Sequence, residues 1–288
     1  MPMLHCSNEL GTFDYDDSEF ELKADDDGTS YLSYIGSKTN GKDIDIPQGL
    51  KNAKLMFSGS HITNAPIIPD GIENADSMFL NCPYLKTAGH LPESLKNTDS
   101  MYSYCTSLET APYMPNNIRT ANFMYDGCDK ITIIPNISQK LQSADGMFAN
   151  CTALKAIPDL PDTLQSADSI CLNCRSLQKP PQISDNVKNI ECGFAGCDNL
   201  QVTPVLPDTA EYDNVIDECY WATDDEFDEL NDDNTLSSNT YDFKHVYQNA
   251  YNNNKPTVSK ETLQKAVCEL SFGDTLQIDN DLLTDIDT

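Results

Sequence analysis

The 288-residue sequence lacks any apolar run long enough to span a lipid bilayer, which takes about 20 residues. Its start, MPMLHCSNELGTFDYDD, lacks the basic and apolar regions of a secretory leader. These absences predict a protein that does not insert into membranes and that resides in the cytoplasm. A surface-exposed or virion-associated location is the alternative.

Residues that carry out chemistry are also scarce. The chain has four histidines, and none lies in a recognisable nucleophile or metal-binding pattern. The 13 glycines are scattered and form no loop that would cradle a phosphate group. We therefore predict that the protein is not an enzyme and that it holds neither a cofactor nor a metal ion.

Positive charge is the third scarce feature, since 18 Lys and Arg residues stand against 46 Asp and Glu residues. The resulting net charge of −28 repels nucleic-acid phosphate, so nucleic acid is excluded as a direct partner. The acidic excess is uneven: residues 1–45 contain 11 acids and 3 bases, 46–207 contain 15 and 11, and 208–288 contain 20 and 4. The centre of the chain is therefore nearly balanced between acidic flanks.

That central part contains a regular repeat of 23 residues. Each repeat has a cysteine, a Leu or Ile three residues later and, in most copies, a Pro seven residues later. The cysteines are Cys82, Cys105, Cys128, Cys151, Cys174 and Cys197. A fixed period of this length indicates stacked repeats that bury one continuous core, because a single repeat cannot bury its own apolar face.

The repeat cysteines are interpreted as reduced, buried packing residues. Leu, Pro and Met-Phe recur in step with them, and Ser60 takes their position in the first repeat. Free cysteine behaves as a small buried hydrophobe, so this interpretation predicts eleven free thiols. The alternative is a zinc site or a disulfide among Cys171, Cys174, Cys192 and Cys197, because a Cys-x-x-Cys pair precedes a second pair there.

The end of the array needs a cover, because a solenoid end exposes apolar surface and open strand edges. Between about Phe20 and Ile46, the segments FELKA, SYLSYIG and KDIDIP are predicted to be strands separated by glycine-containing turns. Residues 1–20 are predicted to be irregular. The predicted domains are an N-terminal region with a β-hairpin cap (1–45), the array of about seven repeats (46–210), an acidic linker (211–240) and a C-terminal segment with a short helix (241–288).

The pattern C-x-x-L-x-x-x-P-x-L-P-x-x-L…M-F-x-x-C resembles the BspA-like leucine-rich repeats, the 23-residue type, over about residues 46–207. The resemblance implies an α/β repeat: a right-handed leucine-rich-repeat solenoid with short parallel strands, here with an N-terminal β cap and an acidic C-terminal extension. It also implies a role in binding or adhesion, and it brings no catalytic residues. The chain departs from the family pattern in an extra Pro at the strand.

Candidate binding residues lie at positions that vary from repeat to repeat. In a solenoid the strand row lines the concave face, and residues eight positions after the cysteine vary there. The favoured patch is Tyr113 with His90, Asn136, Asp159 and Gln182, because aromatic residues are enriched at binding hot spots. An ordinary solvated face is the alternative.

These observations favour a non-enzymatic scaffold that binds another protein through the solenoid face, with its oligomeric state open. The alternative function is a structural assembly component of a virion or cell surface. It would dock through the acidic C-terminal segment with Trp221 and Phe227 as anchors. A third hypothesis is charge mimicry, in which residues 217–233, with nine acids and no base, intercept a basic partner.

Overall fold

The computed structural model describes residues 3–24 and 28–207 of the chain. This part consists of two β-hairpins followed by a stack of 23-residue repeats. None of the helical segments within it is long and apolar enough to cross a membrane. The segments predicted at 211–240 and 241–288 lie outside the described residues.

Two antiparallel hairpins form where apolar and polar residues alternate. Their strands are β1 (Met3–Asn8) paired with β2 (Gly11–Asp16), and β3 (Phe20–Ala24) paired with β4 (Ser30–Tyr34). The strands predicted at FELKA and SYLSYIG are therefore confirmed. The prediction that residues 1–20 are irregular is wrong, because alternation in GTFDYD buries Phe13 and Tyr15 on one face of β2.

The third predicted strand, KDIDIP, does not form. Its start is a 3₁₀ turn at Gly41–Asp43, capped by Asn40, whose side-chain oxygen accepts a hydrogen bond from the backbone N–H of Lys42. Local bonds of this kind offer the backbone an alternative to a strand ladder. Gly41 also lies so close to the next repeat that a Cβ on it would be 2.0 Å from the carbonyl oxygen of Asn64.

The hairpins pack against the first repeat through rings and through close backbone contact. The rings of Phe20 and Tyr34 lie 6.4 and 5.2 Å from the ring of Phe57, measured between centroids. The backbones of Gly11 and Gly49 approach so closely that a Cβ on Gly11 would lie 2.3 Å from the Gly49 carbonyl oxygen. Only residues without a side chain allow this approach, which explains the two glycines.

Consecutive repeats are joined by two rows of parallel β-bridges, each one residue long. One row lies five residues after the cysteine position and contains Asn40, Asn64, Thr87, Thr110, Ile133 and Ala156. The other lies fifteen residues after it and contains Asn52, Asn74, Asn97, Thr120, Ser143, Ser166 and Asn189. In the repeat of Ser60, which is one residue shorter, both offsets are smaller by one. The predicted short parallel strands are thus reduced to bridges in the described array, because the prolines that follow the first row cannot donate to a ladder.

The core of the array is built from positions that recur in every repeat. The Leu or Ile three residues after the cysteine, a second apolar residue at nine and a third at thirteen are mostly fully buried. An aromatic stack runs through the core, with neighbouring ring centroids 5.4–5.9 Å apart and planes within 11° of parallel. Its rings belong to Phe57, Phe79, Tyr102, Tyr125 and Phe148.

The six repeat cysteines form a buried row of free thiols. Each Sγ donates a hydrogen bond, 3.0–3.1 Å long, to the backbone oxygen of the residue at the aromatic position one repeat earlier. Burial raises the pKa of the Cys151 and Cys174 thiols well above the usual value, so the sulfur keeps the proton it donates. The packing interpretation of this row is confirmed.

One cysteine departs from the prediction of eleven free thiols. Cys192 is disulfide-bonded, so the prediction of a free thiol at this position is wrong. Cys171, Cys174 and Cys197 are free and buried. Within residues 3–24 and 28–207, no three His, Cys, Asp or Glu side chains are arranged to hold a metal ion.

Candidate binding face

The candidate binding face consists of the residues five and eight positions after the cysteine position of each repeat, or four and seven positions after Ser60 in the first repeat, which is one residue shorter. The first row contains Asn64, Thr87, Thr110, Ile133, Ala156, Lys179 and Val202. The second contains Ile67, His90, Tyr113, Asn136, Asp159, Gln182 and Val205. The leucine positions before these rows and the apolar positions after them are largely buried, so both rows project from the same side of the array.

Bridges hold several neighbouring members of the first row next to each other. Asn64 is the bridge partner of Thr87, and Ile133 is the partner of Ala156. The hydroxyl of Thr87 donates a 2.8 Å hydrogen bond to the side-chain oxygen of Asn64. Since neighbouring bridged chains lie about 4.8 Å apart, seven repeats give a face roughly 29 Å long.

Four of the five residues predicted for the array patch are exposed. They are His90, Tyr113, Asp159 and Gln182, and the side chain of Tyr113 is 61% exposed. They occupy one position in successive repeats, so the structure places them along one line of the face. The other two predicted anchors, Trp221 and Phe227, lie outside the described residues.

Asn136 differs from the other members of the patch because both polar ends of its side chain bond the preceding repeat. It is half-buried; its oxygen accepts a 2.8 Å bond from the backbone N–H of Met114, and its nitrogen donates a 2.7 Å bond to the Met114 carbonyl. Both polar ends of the amide are thus occupied by the preceding repeat. The structure assigns Asn136 to stability rather than to a free contact surface.

Replacing Asn136 by alanine is expected to lower the free energy of unfolding by about 1–3 kcal/mol, because it leaves the buried backbone polar groups of Met114 without these partners. Urea denaturation of both proteins measures the difference. The control is His90→Ala at the same position of another repeat, where the exposed side chain predicts a change within about 0.5 kcal/mol. Equal stability of the two variants would contradict the structural role of Asn136.

Several exposed apolar side chains extend the face beyond the predicted patch. Ile67 is 85% exposed, Val205 84%, Ile133 64% and Val202 58%. The patch chosen from the sequence contained Tyr113 but none of these four. The sequence alone could have identified these four residues. They are large and apolar at repeat positions that are polar in other repeats, and such positions have no packing role.

Formal charge is almost absent from the face. Of its fourteen positions, Asp159 and Lys179 carry a full charge, and His90 and Tyr113 are the further ionisable residues. An oxygen of Asp159 accepts a 2.8 Å hydrogen bond from the backbone N–H of Gln182. In a chain of net charge −28, this face is suited to apolar contact and hydrogen bonding rather than to ion pairing.

A separate row of carboxyl and amide side chains serves the joins between repeats. It contains Asp76, Asp99, Asn122, Asp145 and Asp168. In each of the first four, one side-chain oxygen accepts a 2.8–3.0 Å hydrogen bond from the backbone N–H of the next residue in the row. Burial raises the pKa of Asp76, and burial together with the Asp76 carboxylate raises the pKa of Asp99 to about 7. The backbone partners of these side chains thus lie one repeat away and not in their own turn.

Comparison with known proteins identifies the type of repeat. The family model described as BspA type leucine rich repeat region matches residues 33–132 and 116–214, with six copies. The leucine-rich repeat protein TpLRR of T. pallidum is 20% identical, with 69% of this chain and 85% of that chain covered and a TM-score of 0.46. A leucine-rich repeat protein from Bacteroides ovatus is 18% identical, with 68% and 60% covered and a TM-score of 0.42.

No curated protein matches the chain. The family match extends over more than half of its residues and includes every repeat that carries the cysteine row. The chain therefore belongs to the BspA-type leucine-rich repeat family.

Proposed function

We propose that this protein is a non-enzymatic scaffold that binds another protein through the binding face. Leucine-rich repeat regions generally serve as protein-interaction scaffolds. The observation that supports this face is the exposure of five large apolar side chains on one side of the array, by 58–85%. They are Ile67, Tyr113, Ile133, Val202 and Val205.

The exposed apolar side chains of the face gain free energy when a partner removes them from water. Covering apolar surface contributes about 25 cal/mol for each Å² removed from water, so a partner that covers these side chains gains free energy from each of them. The packing positions of the same repeats are buried. The five apolar side chains are therefore exposed because of the positions that they occupy in the repeat. Tyr113 is expected to be the strongest anchor, since tyrosine adds a hydroxyl to its apolar ring.

The test compares capture of partners by three forms of the full-length chain. The face variant carries Tyr113→Ser with Ile133→Ser, and the control carries Tyr84→Ser, a 53% exposed tyrosine outside the face. We expect a protein captured from an extract of the source cells to bind wild type and control equally, and to bind the face variant about ten-fold less or weaker still. Asn136 is left unchanged because it stabilises the fold.

Quantitative mass spectrometry of the captured proteins gives the ratio, and titration with the purified partner gives the change in Kd. Capture by the face variant that equals wild type for every protein would contradict the proposal.

The docking role of Trp221 and Phe227 stays a prediction, as do the right-handed sense of the solenoid, the acidic C-terminal extension and the cytoplasmic location.

A further inference from the structure

We propose that the partner of the binding face is a protein segment with a strip of apolar side chains and with Lys or Arg along one edge of that strip. This inference rests on the proposed function, since it gives the chemistry of the partner that the same face binds. The observations that carry it are the charges that border the two rows of the face.

A row of exposed, mostly acidic side chains lies three positions after the second row of the face. This acidic border contains Asp70, Glu93, Asn116, Gln139, Asp162 and Asp185. Three residues of extended chain span at most about 10 Å, and the two residues in between are mostly buried. The border therefore lies next to the exposed second row, with four carboxylates and no base among its six residues.

Hydrogen bonds between repeats hold the acidic border together. The side-chain nitrogens of Asn117 and Asn186 donate 2.9 Å bonds to the backbone oxygens of Glu93 and Asp162, each one repeat earlier. In the described part of the chain, the carboxylates of Asp70, Glu93 and Asp162 take part in no ion pair. Their charges are therefore available to a partner that lies along this edge.

The opposite border of the face has no acidic excess. It lies one position before the first row and holds two bases and one acid among Thr63, Lys86, Glu109, Thr132, Lys155, Gln178 and Gln201. The charges within the face divide in the same way, with Lys179 in the first row and Asp159 in the second. Negative charge is thus concentrated along one edge of an otherwise apolar and uncharged strip.

Bases also lie beyond the acidic border, in the row fourteen positions after the cysteine. Lys96 and Lys188 there each follow a border acid by three residues. The residues three positions after Asp70 and Asp162 carry no positive charge. These two aspartates are therefore the positions at which a basic partner gains most from the border.

The division of charge gives the apolar strip and the border different roles in binding. Apolar contacts at the centre of an interface provide most of the affinity, and charges at its rim select the partner and speed its approach. The net charge of −28 also attracts a basic partner from a distance. A partner with acids along the same edge would instead meet four carboxylates of like charge.

Three synthetic peptides of about 18 residues test this chemistry, since a helix of that length spans about 27 Å, close to the length of the face. The Leu–Lys peptide has leucines at helical spacing, lysines along one edge of the leucine strip and glutamines elsewhere. The second peptide has Glu for each Lys, and the third has Ser for each Leu. Fluorescence anisotropy with the full-length chain in about 0.15 M salt gives each Kd. We expect the Leu–Lys peptide to bind about ten-fold more tightly than either of the others, or tighter still.

Two variants of the protein separate the border from total charge. The border variant carries Asp70→Ser with Asp162→Ser, and the control carries Asp129→Ser with Asp198→Ser, two exposed aspartates in the row ten positions before the border. Both variants change the net charge from −28 to −26. The border variant should bind the Leu–Lys peptide about five-fold more weakly than wild type, and the control within about two-fold of it. Thermal melting confirms that both variants are folded.

Three outcomes overturn the basic-edged partner: equal weakening by the two variants, equal binding of the Leu–Lys and Leu–Glu peptides, or no binding of the Leu–Lys peptide up to about 1 mM. Failure here is distinguishable from failure of the proposed function. A protein captured through Tyr113 and Ile133 that binds the border variant as it binds wild type retains the scaffold role and removes only the basic edge of its partner.

Discussion

Replacing Tyr102 by alanine is expected to lower the free energy of unfolding by about 4 kcal/mol, the typical cost of removing a large buried aromatic side chain. Tyr102 is fully buried. Its ring stacks between Phe79 at 5.4 Å and Tyr125 at 5.8 Å, with the planes within 6° of parallel. Alanine removes both ring contacts in the middle of the stack, where the repeats above and below hold the cavity open.

Urea denaturation of the full chain measures this loss, and two controls define its origin. Tyr84→Ala removes an exposed tyrosine that stacks on His61 at 5.4 Å, and it should cost about 1 kcal/mol or less. Tyr102→Phe keeps the ring and removes only the hydroxyl, which donates a 3.4 Å bond to Ala88. If Tyr102→Ala and Tyr84→Ala destabilise equally, the stack does not stabilise the array as argued.

Replacing Asp99 by asparagine is expected to stabilise the protein at pH 8 by at most about 4 kcal/mol, the equivalent of a shift of three pKa units. Burial and the Asp76 carboxylate raise the pKa of Asp99 to about 7, with a smaller contribution from Asp145. Asn122 shows that an amide fits this row, since its oxygen accepts the 2.8 Å bond from the N–H of Asp145. The variant therefore removes a charge and keeps the acceptor.

The expected pH dependence follows from the direction of the shift. A carboxyl whose pKa is higher in the folded state binds its proton more tightly there, so it contributes stability below its unfolded pKa of about 4. That contribution is lost as the pH rises through about 7, the folded pKa of Asp99. Wild type should lose stability relative to Asp99→Asn between pH 4 and pH 8.

Chemical denaturation at pH 5 and pH 8 measures the effect as the difference between variant and wild type. Asp162→Asn is the control, because Asp162 is exposed and its substitution should change stability by less than about 0.5 kcal/mol at both pH values. The free energy of unfolding of Asp99→Asn minus that of wild type should be larger at pH 8 than at pH 5. If it is not, Asp99 ionises in the folded protein as it does in water.

The repeats separate two kinds of position. Positions that recur provide the buried rows, the aromatic stack and the thiols that donate to the preceding repeat. Positions that vary provide the binding face, including Tyr113 and Ile133. Substitutions in the first group should therefore act on stability, and substitutions in the second on association, with Asn136 as the exception that its contacts with Met114 explain.

The sequence by itself determined the repeat length, the buried positions and the packing role of the cysteine row. These features follow from periodicity, because a side chain that recurs every 23 residues among apolar neighbours occupies the same place in every turn of the stack. The alternation in FELKA and SYLSYIG likewise predicted β3 and β4. Each of these inferences needs only local spacing and the choice between an apolar and a polar residue.

Only the tertiary structure decided which side chains at one repeat position are free and which are engaged. His90 and Asn136 occupy the same position, yet Asn136 alone of the two is bonded to the backbone of a residue 22 positions earlier. The raised pKa of Asp99, the single-residue bridges and the thiol hydrogen bonds depend in the same way on neighbouring repeats. Periodicity reports which residues share a position, whereas hydrogen bonds and burial depend on distances between chain segments one repeat apart.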